Sequence, residues 1–297
     1  MKILLAGASG FLGTALRAEL ATAGHEVHRL VRREPSGADE HRWDPDGGEV
    51  DSALVAGCDV VVNLAGAPIA HWPWTATWRE QILRSRVRTT STLATAIAEA
   101  PKPPAFVVAS GMAIHGGDRG AEWLDESSST GTGFLADVVR AWEAAAHPAR
   151  TAGARVVHLR TGVVAHRTGG ALRVMLPIFR AGLAARLGSG RQYFSLISLA
   201  DWVGAVRFLI EHSACEGHYN IVGLDPPTNA EFTRALAAKL HRPAVLWVPA
   251  APMRLALGGL AGEVLGSLRM RPARLVDAGF AHRDRDLDAV LDAALSR

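Results

Sequence analysis

A serine and a histidine follow a short apolar run, at a place where parallel sheets bind their ligands. The run at residues 106–109 predicts a strand, Ser110 comes directly after it, and His115 lies five residues further on in a glycine-rich loop. Ligands of such sheets bind beyond the carboxyl ends of the strands, and histidine, with an unperturbed pKa of about 6.5, exchanges protons at neutral pH. We therefore predict Ser110 and His115 as catalytic residues. The alternative for His115 is a partly exposed loop histidine without a chemical role.

Tyrosine and lysine are too rare and too badly spaced for one common form of proton transfer. The two tyrosines are Tyr193 and Tyr219, and the residues four positions later are Ile197 and Gly223. The sequence therefore excludes catalysis by a Tyr-x-x-x-Lys pair.

Three glycines separate the first predicted strand from the first predicted helix. Glycines there let the chain turn tightly and bring backbone N–H groups to a pyrophosphate at the helix N-terminus. An ordinary turn between a strand and a helix is the alternative. The residues predicted to hold the pyrophosphate are Gly7, Ser9, Gly10, Phe11, Leu12 and Gly13.

Two arginines at the end of the second predicted strand favour NADP over NAD. An NAD site places an acid here to bind the ribose 2′-hydroxyl, whereas Arg32 and Arg33 suit a 2′-phosphate. A solvated pair of arginines is the alternative. Glu34, directly after them, leaves some tolerance for NAD.

Further cofactor contacts are predicted after the third and fourth strands. Asp44 is placed to accept a hydrogen bond from the adenine amino group. Leu64, Ala65 and Gly66 offer small side chains and backbone where the cofactor ribose would pass.

Short apolar runs alternate with helical patterns over the first two-thirds of the chain, which indicates βαβ units on a parallel sheet. The predicted strands are residues 2–6, 26–31, 41–43, 60–63, 106–109 and 156–159, and the predicted helices are 11–23, 77–100 and 134–152. The strands are apolar on both faces, as in sheets covered by helices on both sides. We therefore predict an α/β fold with a doubly wound, Rossmann-like parallel sheet.

The pattern changes after residue 164, where glycines break the chain into turns. A strand and helix at 194–212 return to the first pattern, and a helix at 229–240 and an extended piece at 244–248 follow. We expect a dinucleotide-binding domain of residues 1–164 plus about 194–222. A smaller C-terminal substrate lobe takes about 165–193 plus 223–297.

Composition excludes several classes of protein. The chain has 297 residues, 48% hydrophobic and 21% charged, with a net charge of +3 from arginines scattered among acids. This balance is typical of a globular protein and argues against nucleic-acid binding. Cys58 and Cys215 have no disulfide or metal pattern, and no apolar run reaches membrane-spanning length. We expect a cytoplasmic monomer or homodimer that binds a small-molecule substrate and no metal, nucleic acid or membrane.

Together these motifs resemble an extended short-chain dehydrogenase/reductase. The resemblance is closest to the atypical NAD-dependent epimerase/dehydratase-like branch labelled "epimerase family", whose members are sometimes called cell-division inhibitors. It is based on the glycine loop 7–13, on 63–66 and on Ser110, and more specifically on 74–90, 134–143, 159–164, 188–192, 219–221 and 271–280.

The resemblance implies roles for several residues. Ser110 matches the serine that hydrogen-bonds substrate. The positions of the general-acid tyrosine and lysine hold Phe134 and Val138, which cannot move a proton. His115 replaces a second tyrosine that this branch often carries.

The resemblance also adds Arg86 and Thr161 to the predicted cofactor site. Arg86 stands where typical extended members carry an asparagine. It could instead clamp a substrate anion or form a salt bridge on the helix surface.

These residues lead to three hypotheses of function. The first is an NADP(H)-dependent oxidoreductase or epimerase that acts on a small carbonyl, alcohol or nucleotide-sugar-like substrate. The second is a catalytically silent NADP(H)-binding sensor or regulatory protein. The third is a lyase or isomerase that uses NADP as a structural support.

Overall fold

The computed structural model describes residues 1–69 and 71–296, and its strands are mostly short. In chain order they are β1 (Lys2–Ala6), β2 (Glu26–Val31), β3 (Glu40–Arg42), β4 (Val60–Asn63), β5 (Ala105–Gly111), β6 (Trp123–Leu124), β7 (Val156–Thr161), β8 (Val163–Ala165), β9 (Ala185–Leu187), β10 (Leu196–Ser198), β11 (Gly217–Ile221), β12 (Leu246–Val248) and β13 (Arg269–Met270).

Helices connect most of these strands. They are α1 (Phe11–Thr22), α2 (Ser52–Ala56), α3 (Ala76–Glu99), α4 (Phe134–Ala144), α5 (His147–Thr151), α6 (Gly170–Arg180), α7 (Leu199–Glu211), α8 (Asn229–Lys239), α9 (Ala250–Leu257), α10 (Ala261–Leu265), α11 (Ala273–Asp277) and α12 (Leu287–Leu295). Short 3₁₀ turns lie at Met112–His115 and Gly258–Leu260.

Seven of the described strands form one parallel sheet in the order β11-β7-β5-β4-β1-β2-β3. The chain runs outward from β1 to β3 and then returns to place β4 on the other side of β1. In open α/β sheets, ligands bind at such a reversal of strand order, beyond the carboxyl ends of the strands. The carboxyl ends of β1 and β4 carry the predicted glycine loop and residues 64–66.

Helices cover both faces of the sheet, because alternate residues of its strands are apolar on both sides. Ile3 and Leu5 of β1 pack in the core beneath α1 and α7. Leu4 and Ala6 face the other core, which includes residues of α2, α3 and α5. The predicted α/β class and doubly wound parallel sheet are confirmed.

One predicted helix is wrong in its extent. The sequence predicts a helix at 134–152, whereas the structure ends α4 at Ala144 and begins α5 at His147. Pro148 lies in the first turn of α5. Proline lacks the N–H that a helix interior needs but is tolerated in a first turn, so the chain restarts its helix there.

A separate apolar core lies in the C-terminal part of the chain. It packs residues of α6, α8 and α12 against β8 and β10, which pair in parallel. The boundaries of the two predicted domains stay a prediction. Of the helices in residues 1–69 and 71–296, none is both long enough and apolar enough to cross a membrane.

Candidate functional site

The turn between β1 and α1 leaves no room for side chains at two of its glycines. Gly7 has a φ of +81°, and a Cβ placed on it would lie 2.7 Å from the backbone carbon of Leu64. A Cβ on Gly13 would lie 2.1 Å from the carbonyl oxygen of Gly7. The turn therefore requires glycine at both positions, and it packs the glycine loop directly on the segment after β4.

Helix α1 begins without a side-chain cap. Its N-cap is Gly10, in extended conformation, and no side chain accepts a hydrogen bond from its first turn. Uncapped N–H groups at the start of a helix form a site for an anion. Ser9 and Gly10 are exposed at this end, whereas Phe11 and Leu12 are partly buried. The ring of Phe11 lies against Gly169, where a Cβ would meet it at 2.2 Å.

Asn63 shapes the segment that follows β4. Its buried side chain accepts a hydrogen bond from the backbone of Ala65 at 3.0 Å. Its amide donates to the hydroxyls of Thr89 and Thr90 on α3, at 3.3 and 3.0 Å. These bonds hold the backbone of residues 64–66 against the glycine loop.

The two arginines after β2 differ in their partners. Arg33 donates to both carboxylate oxygens of Glu40, at 2.8 and 2.7 Å. The hydrogen bonds from Arg33 and from Ser36 lower the pKa of Glu40 to about 2. Arg32 is exposed and forms no ion pair with the described residues. The guanidinium of Arg33 is thus already engaged, and that of Arg32 remains for a ligand.

Asp44, predicted to bind adenine, caps its own turn. Its exposed carboxylate accepts a hydrogen bond from the backbone N–H of Asp46 at 3.0 Å. The other carboxylate oxygen remains for a ligand at this surface.

Arg86 is buried on α3, beside the segment after β4. It is 7% exposed, and its Nη1 donates to the carbonyl of Ile82 at 3.0 Å. Its Nε is buried without a partner, and burial lowers its pKa to about 10. A Cβ on the exposed Gly66 would lie 3.3 Å from the Arg86 side chain. The expected alternative of a salt bridge on the helix surface is therefore wrong for Arg86.

Ser110 lies next to the last residue of β5, beside a buried carboxylate. Its Oγ donates to Oε1 of Glu143 on α4 at 2.6 Å. Arg160 of β7, the cross-strand neighbour of Ser110, binds the two oxygens of the same carboxylate at 2.9 and 3.1 Å. Nε2 of His218 on β11 lies 3.2 Å from Oε2. We call Ser110, Glu143, Arg160 and His218 the serine cluster.

The carboxylate of Glu143 is held ionised. Burial raises the pKa of Glu143, but hydrogen bonds from His218, Arg160 and Ser110, together with the charge of Arg160, outweigh it and keep the pKa well below its usual range. A carboxylate can only accept hydrogen bonds. The hydroxyl hydrogen of Ser110 is therefore committed to Glu143, and the Oγ lone pairs remain to accept a hydrogen bond from a ligand.

Two histidines connect the serine cluster to a cavity at the sheet edge. The rings of His158 and His218 stack with their centroids 4.8 Å apart. Both rings line a cavity of about 270 Å³ together with His147, Arg150 and part of α4. Burial lowers the pKa of His158 to about 4, so this ring is neutral at pH 7.

His115 is buried, contrary to the alternative of a partly exposed loop residue. It is 0% exposed, in the 3₁₀ turn after β5. Nδ1 lies 3.2 Å from the carbonyl oxygen of Ser129 and must carry the hydrogen, whereas Nε2 is buried without a partner. Burial lowers the pKa of His115. The neutral ring therefore presents a lone pair at Nε2.

The positions expected for a tyrosine and a lysine are filled by apolar packing. Phe134 and Val138 lie in a cluster with Ile82 and Ile114. Thr161, predicted at the cofactor, accepts a hydrogen bond from Trp202 at 3.2 Å and donates to the backbone of Leu159. Its hydroxyl thus fixes α7 on β7.

Sequence reasoning gave no role to Glu143, Arg160 or His218. They come from α4, β7 and β11, and the parallel pairing of β5, β7 and β11 together with the packing of α4 on β5 brings them together. One signal was present: His158 and Arg160 alternate with apolar residues inside β7, which is buried. A buried charge in a sheet needs a partner.

The chain is similar to known proteins over almost its whole length. The model of the NAD dependent epimerase/dehydratase family matches residues 3–222, and that of a domain of unknown function matches 248–294. An epimerase family protein of Mycobacterium bovis is 42% identical over 99% of this chain and 98% of its own length. Human epimerase family protein SDR39U1 is 36% identical over 98% of both chains.

Solved structures agree with this comparison. The crystal structure of human SDR39U1 (isoform 2) with NADPH has a TM-score of 0.88 and 33% identity, over 99% of both chains. The nucleoside-diphosphate sugar epimerase of Corynebacterium glutamicum has a TM-score of 0.83 and 34% identity, over 99% of this chain and 58% of that one.

Proposed function

Because the chain belongs to the NAD dependent epimerase/dehydratase family, we propose that it is an NADP(H)-dependent oxidoreductase or epimerase of the short-chain dehydrogenase/reductase type. Its substrate is a small or nucleotide-sugar-like molecule with a hydroxyl or carbonyl group. The observation that carries the proposal is the turn of Gly7 and Gly13 at the uncapped start of α1. The human relative crystallised with NADPH supports it.

The residues present fit a dinucleotide. A Cβ at Gly7 or Gly13 would strike the chain's own backbone, so glycine at both positions permits the tight turn that would bring the start of α1 to a pyrophosphate. The N–H groups at the start of α1 would hold the pyrophosphate, and residues 64–66 would pass beside the ribose. Arg32 would pair with a 2′-phosphate, with Arg33 beside it held by Glu40.

When bound, the nicotinamide supplies or accepts the hydride. Ser110 offers lone pairs rather than a hydrogen, since Glu143 takes its hydroxyl hydrogen. It therefore orients a substrate hydroxyl by accepting a hydrogen bond from it. Phe134 and Val138 cannot exchange a proton, so this role falls to Nε2 of His115 or to water beside Ser110.

Cofactor binding and turnover test this proposal separately. Titration of the pure protein with NADPH and with NADH, followed by nicotinamide fluorescence, is expected to show tighter binding of NADPH. Incubation with NADPH or NADP⁺ and a panel of aldehydes, ketones, alcohols and nucleotide sugars is then expected to show turnover. Turnover no faster than that of a Ser110→Ala, His115→Ala double variant would contradict the catalytic part.

The apolar packing of Phe134 and Val138 favours a second candidate function. With no titratable group at these positions, the chain could bind NADP(H) and report its redox state to a partner without chemistry. NADPH binding without turnover on the whole panel, together with a partner retained by the NADPH-bound but not the NADP⁺-bound protein, would select this function.

A further inference from the structure

Arg86 differs from Arg160, the other fully buried arginine that the structure describes. The guanidinium of Arg160 is bound by the Glu143 carboxylate. The guanidinium of the half-buried Arg155 donates to carbonyl oxygens near the end of α7, including those of Leu209 and Cys215 at 3.0 and 2.8 Å. Arg86 has one carbonyl partner, on its own helix, and burial alone accounts for its lowered pKa. Its charge thus has no counter-ion among the described residues.

A buried cation without an anion is costly to keep. Desolvation of a guanidinium carries a large free-energy penalty, part of which a paired carboxylate would offset. An apolar side chain of similar length would avoid this cost at a helix position packed against other residues. A charge retained in this state is typical of a site that a ligand completes.

The position of Arg86 points to the substrate rather than to the pyrophosphate. Its guanidinium lies 5.0 Å from the ring of Trp142, the residue before Glu143 on α4. Glu143 in turn binds Ser110. The exposed Gly66, which has no side chain, lies against the guanidinium, since a Cβ on Gly66 would be 3.4 Å from Cζ of Arg86.

We propose that Arg86 binds an anionic group of the substrate. The substrate class is then a hydroxy or oxo compound that carries a carboxylate or a phosphate. Arg86 pairs with this oxyanion while Ser110 accepts a hydrogen bond from the hydroxyl. This inference rests on the proposed function for the identity of the site, but the binding of an anion is measurable without turnover.

Binding of small oxyanions to the NADP⁺-saturated protein tests this role. Calorimetric titrations with lactate and with methyl phosphate distinguish a carboxylate from a phosphate, and lactamide is the neutral match for lactate. At least one oxyanion is expected to bind, and lactamide is not. Arg86→Met is expected to weaken that binding at least tenfold, and Arg86→Lys less, since lysine keeps the charge but not the planar fork. Arg84→Met, exposed on the same helix, is the control.

The stability of the ligand-free protein is a second measurement. A purely structural role of Arg86 predicts that Arg86→Met is less stable than the wild type, and the proposed role predicts the opposite. Without ligand, Arg86→Met is expected to be at least as stable as the wild type, because it removes an unpaired buried charge. A destabilised variant with unchanged oxyanion binding would overturn the proposal. So would a wild type that binds neither oxyanion.

Cofactor binding separates this proposal from the proposed function. NADPH affinity of Arg86→Met is expected to stay within about threefold of the wild type. A tenfold loss of NADPH affinity with unchanged oxyanion binding would assign Arg86 to the cofactor and overturn the inference. If the wild type fails to bind NADPH, the proposed function fails, and titration of the cofactor-free protein with the same oxyanions still decides the role of Arg86.

Discussion

The cofactor end and the serine cluster are built from different parts of the chain. The cofactor end, which comprises the β1–α1 turn and residues 64–66, consists mainly of backbone, whereas the serine cluster consists of charged and polar side chains. Gly7 and Gly13 are required at the cofactor end because they have no side chain, since a Cβ would strike neighbouring backbone. Ser110 and Glu143 act through one hydrogen bond of 2.6 Å in a buried ion network. The first kind of site depends on chain geometry and the second on charge compensation, so substitutions should damage them differently.

The largest effect is expected from removing the carboxylate of the serine cluster. Glu143→Ala leaves the buried Arg160 without its counter-ion, and the free energy of unfolding should fall by about 3–5 kcal/mol. Urea denaturation measures this loss. Glu19→Ala is the control, because it breaks a half-exposed ion pair with Arg207 and should cost less than about 1 kcal/mol. Equal losses in the two variants would show that the network of Glu143 does not stabilise the fold.

The cofactor end should respond in affinity instead. Gly13→Ala places a Cβ against the carbonyl oxygen of Gly7 and distorts the turn, so the Kd for NADPH should rise about 100-fold, or about 2.7 kcal/mol. Fluorescence titration measures it. Gly262→Ala is the matched control, since a Cβ there meets nothing within 4 Å. Unchanged NADPH affinity in Gly13→Ala would remove the main support for a pyrophosphate site at this turn.

Acid should affect the side-chain site through His158. Its pKa is about 4 in the folded chain and about 6.5 when unfolded, so the unfolded state takes up a proton first as the pH falls. Stability from neutral His158 is complete above about pH 7, and about 2 kcal/mol of it should be lost by pH 5. Denaturation at the two pH values measures this loss of stability. His158→Phe should not show it, whereas His147→Ala, at an exposed position, should show it as the wild type does. Identical pH dependence in wild type and His158→Phe would contradict the shift.

The cofactor end and the serine cluster also differ in how far the sequence predicts them. The bounds of β1, β2 and β4 agree with the predicted ranges 2–6, 26–31 and 60–63. Buried parallel strands leave continuous apolar runs, and β1 and β4 carry such runs. The glycine loop was also predictable, since a tight turn at a helix start leaves its pattern within seven residues.

The serine cluster leaves no such local pattern. Successive members of the serine cluster, Ser110, Glu143, Arg160 and His218, are 33, 17 and 58 residues apart in the chain. They meet through the pairing of β5, β7 and β11 and through the packing of α4 on β5. The burial of His115 was also missed, because a glycine-rich loop indicates exposure. Here the backbone of Gly131 packs against that of His115, and a Cβ on Gly131 would lie 2.1 Å from the His115 carbonyl.

The smallest effect is expected on the preference for NADPH over NADH, which depends on two arginine side chains at the cofactor end. Glu40 binds both Nη nitrogens of Arg33, so this guanidinium has little left for a 2′-phosphate. The exposed Arg32 is free of ion pairs with the described residues. Arg32→Ala should therefore weaken NADPH binding about tenfold, or about 1.4 kcal/mol. It should leave NADH binding unchanged.

Arg33→Ala is the internal comparison for this prediction, measured by the same fluorescence titrations. It should weaken NADPH binding less than Arg32→Ala, because Arg33 is already engaged by the carboxylate of Glu40. If Arg33→Ala causes the larger loss, Glu40 must release Arg33 when the cofactor binds. Glu40→Gln would then tighten NADPH binding, since the released guanidinium would no longer need to leave a carboxylate. That result would make the cofactor end depend on charge compensation, as the serine cluster does.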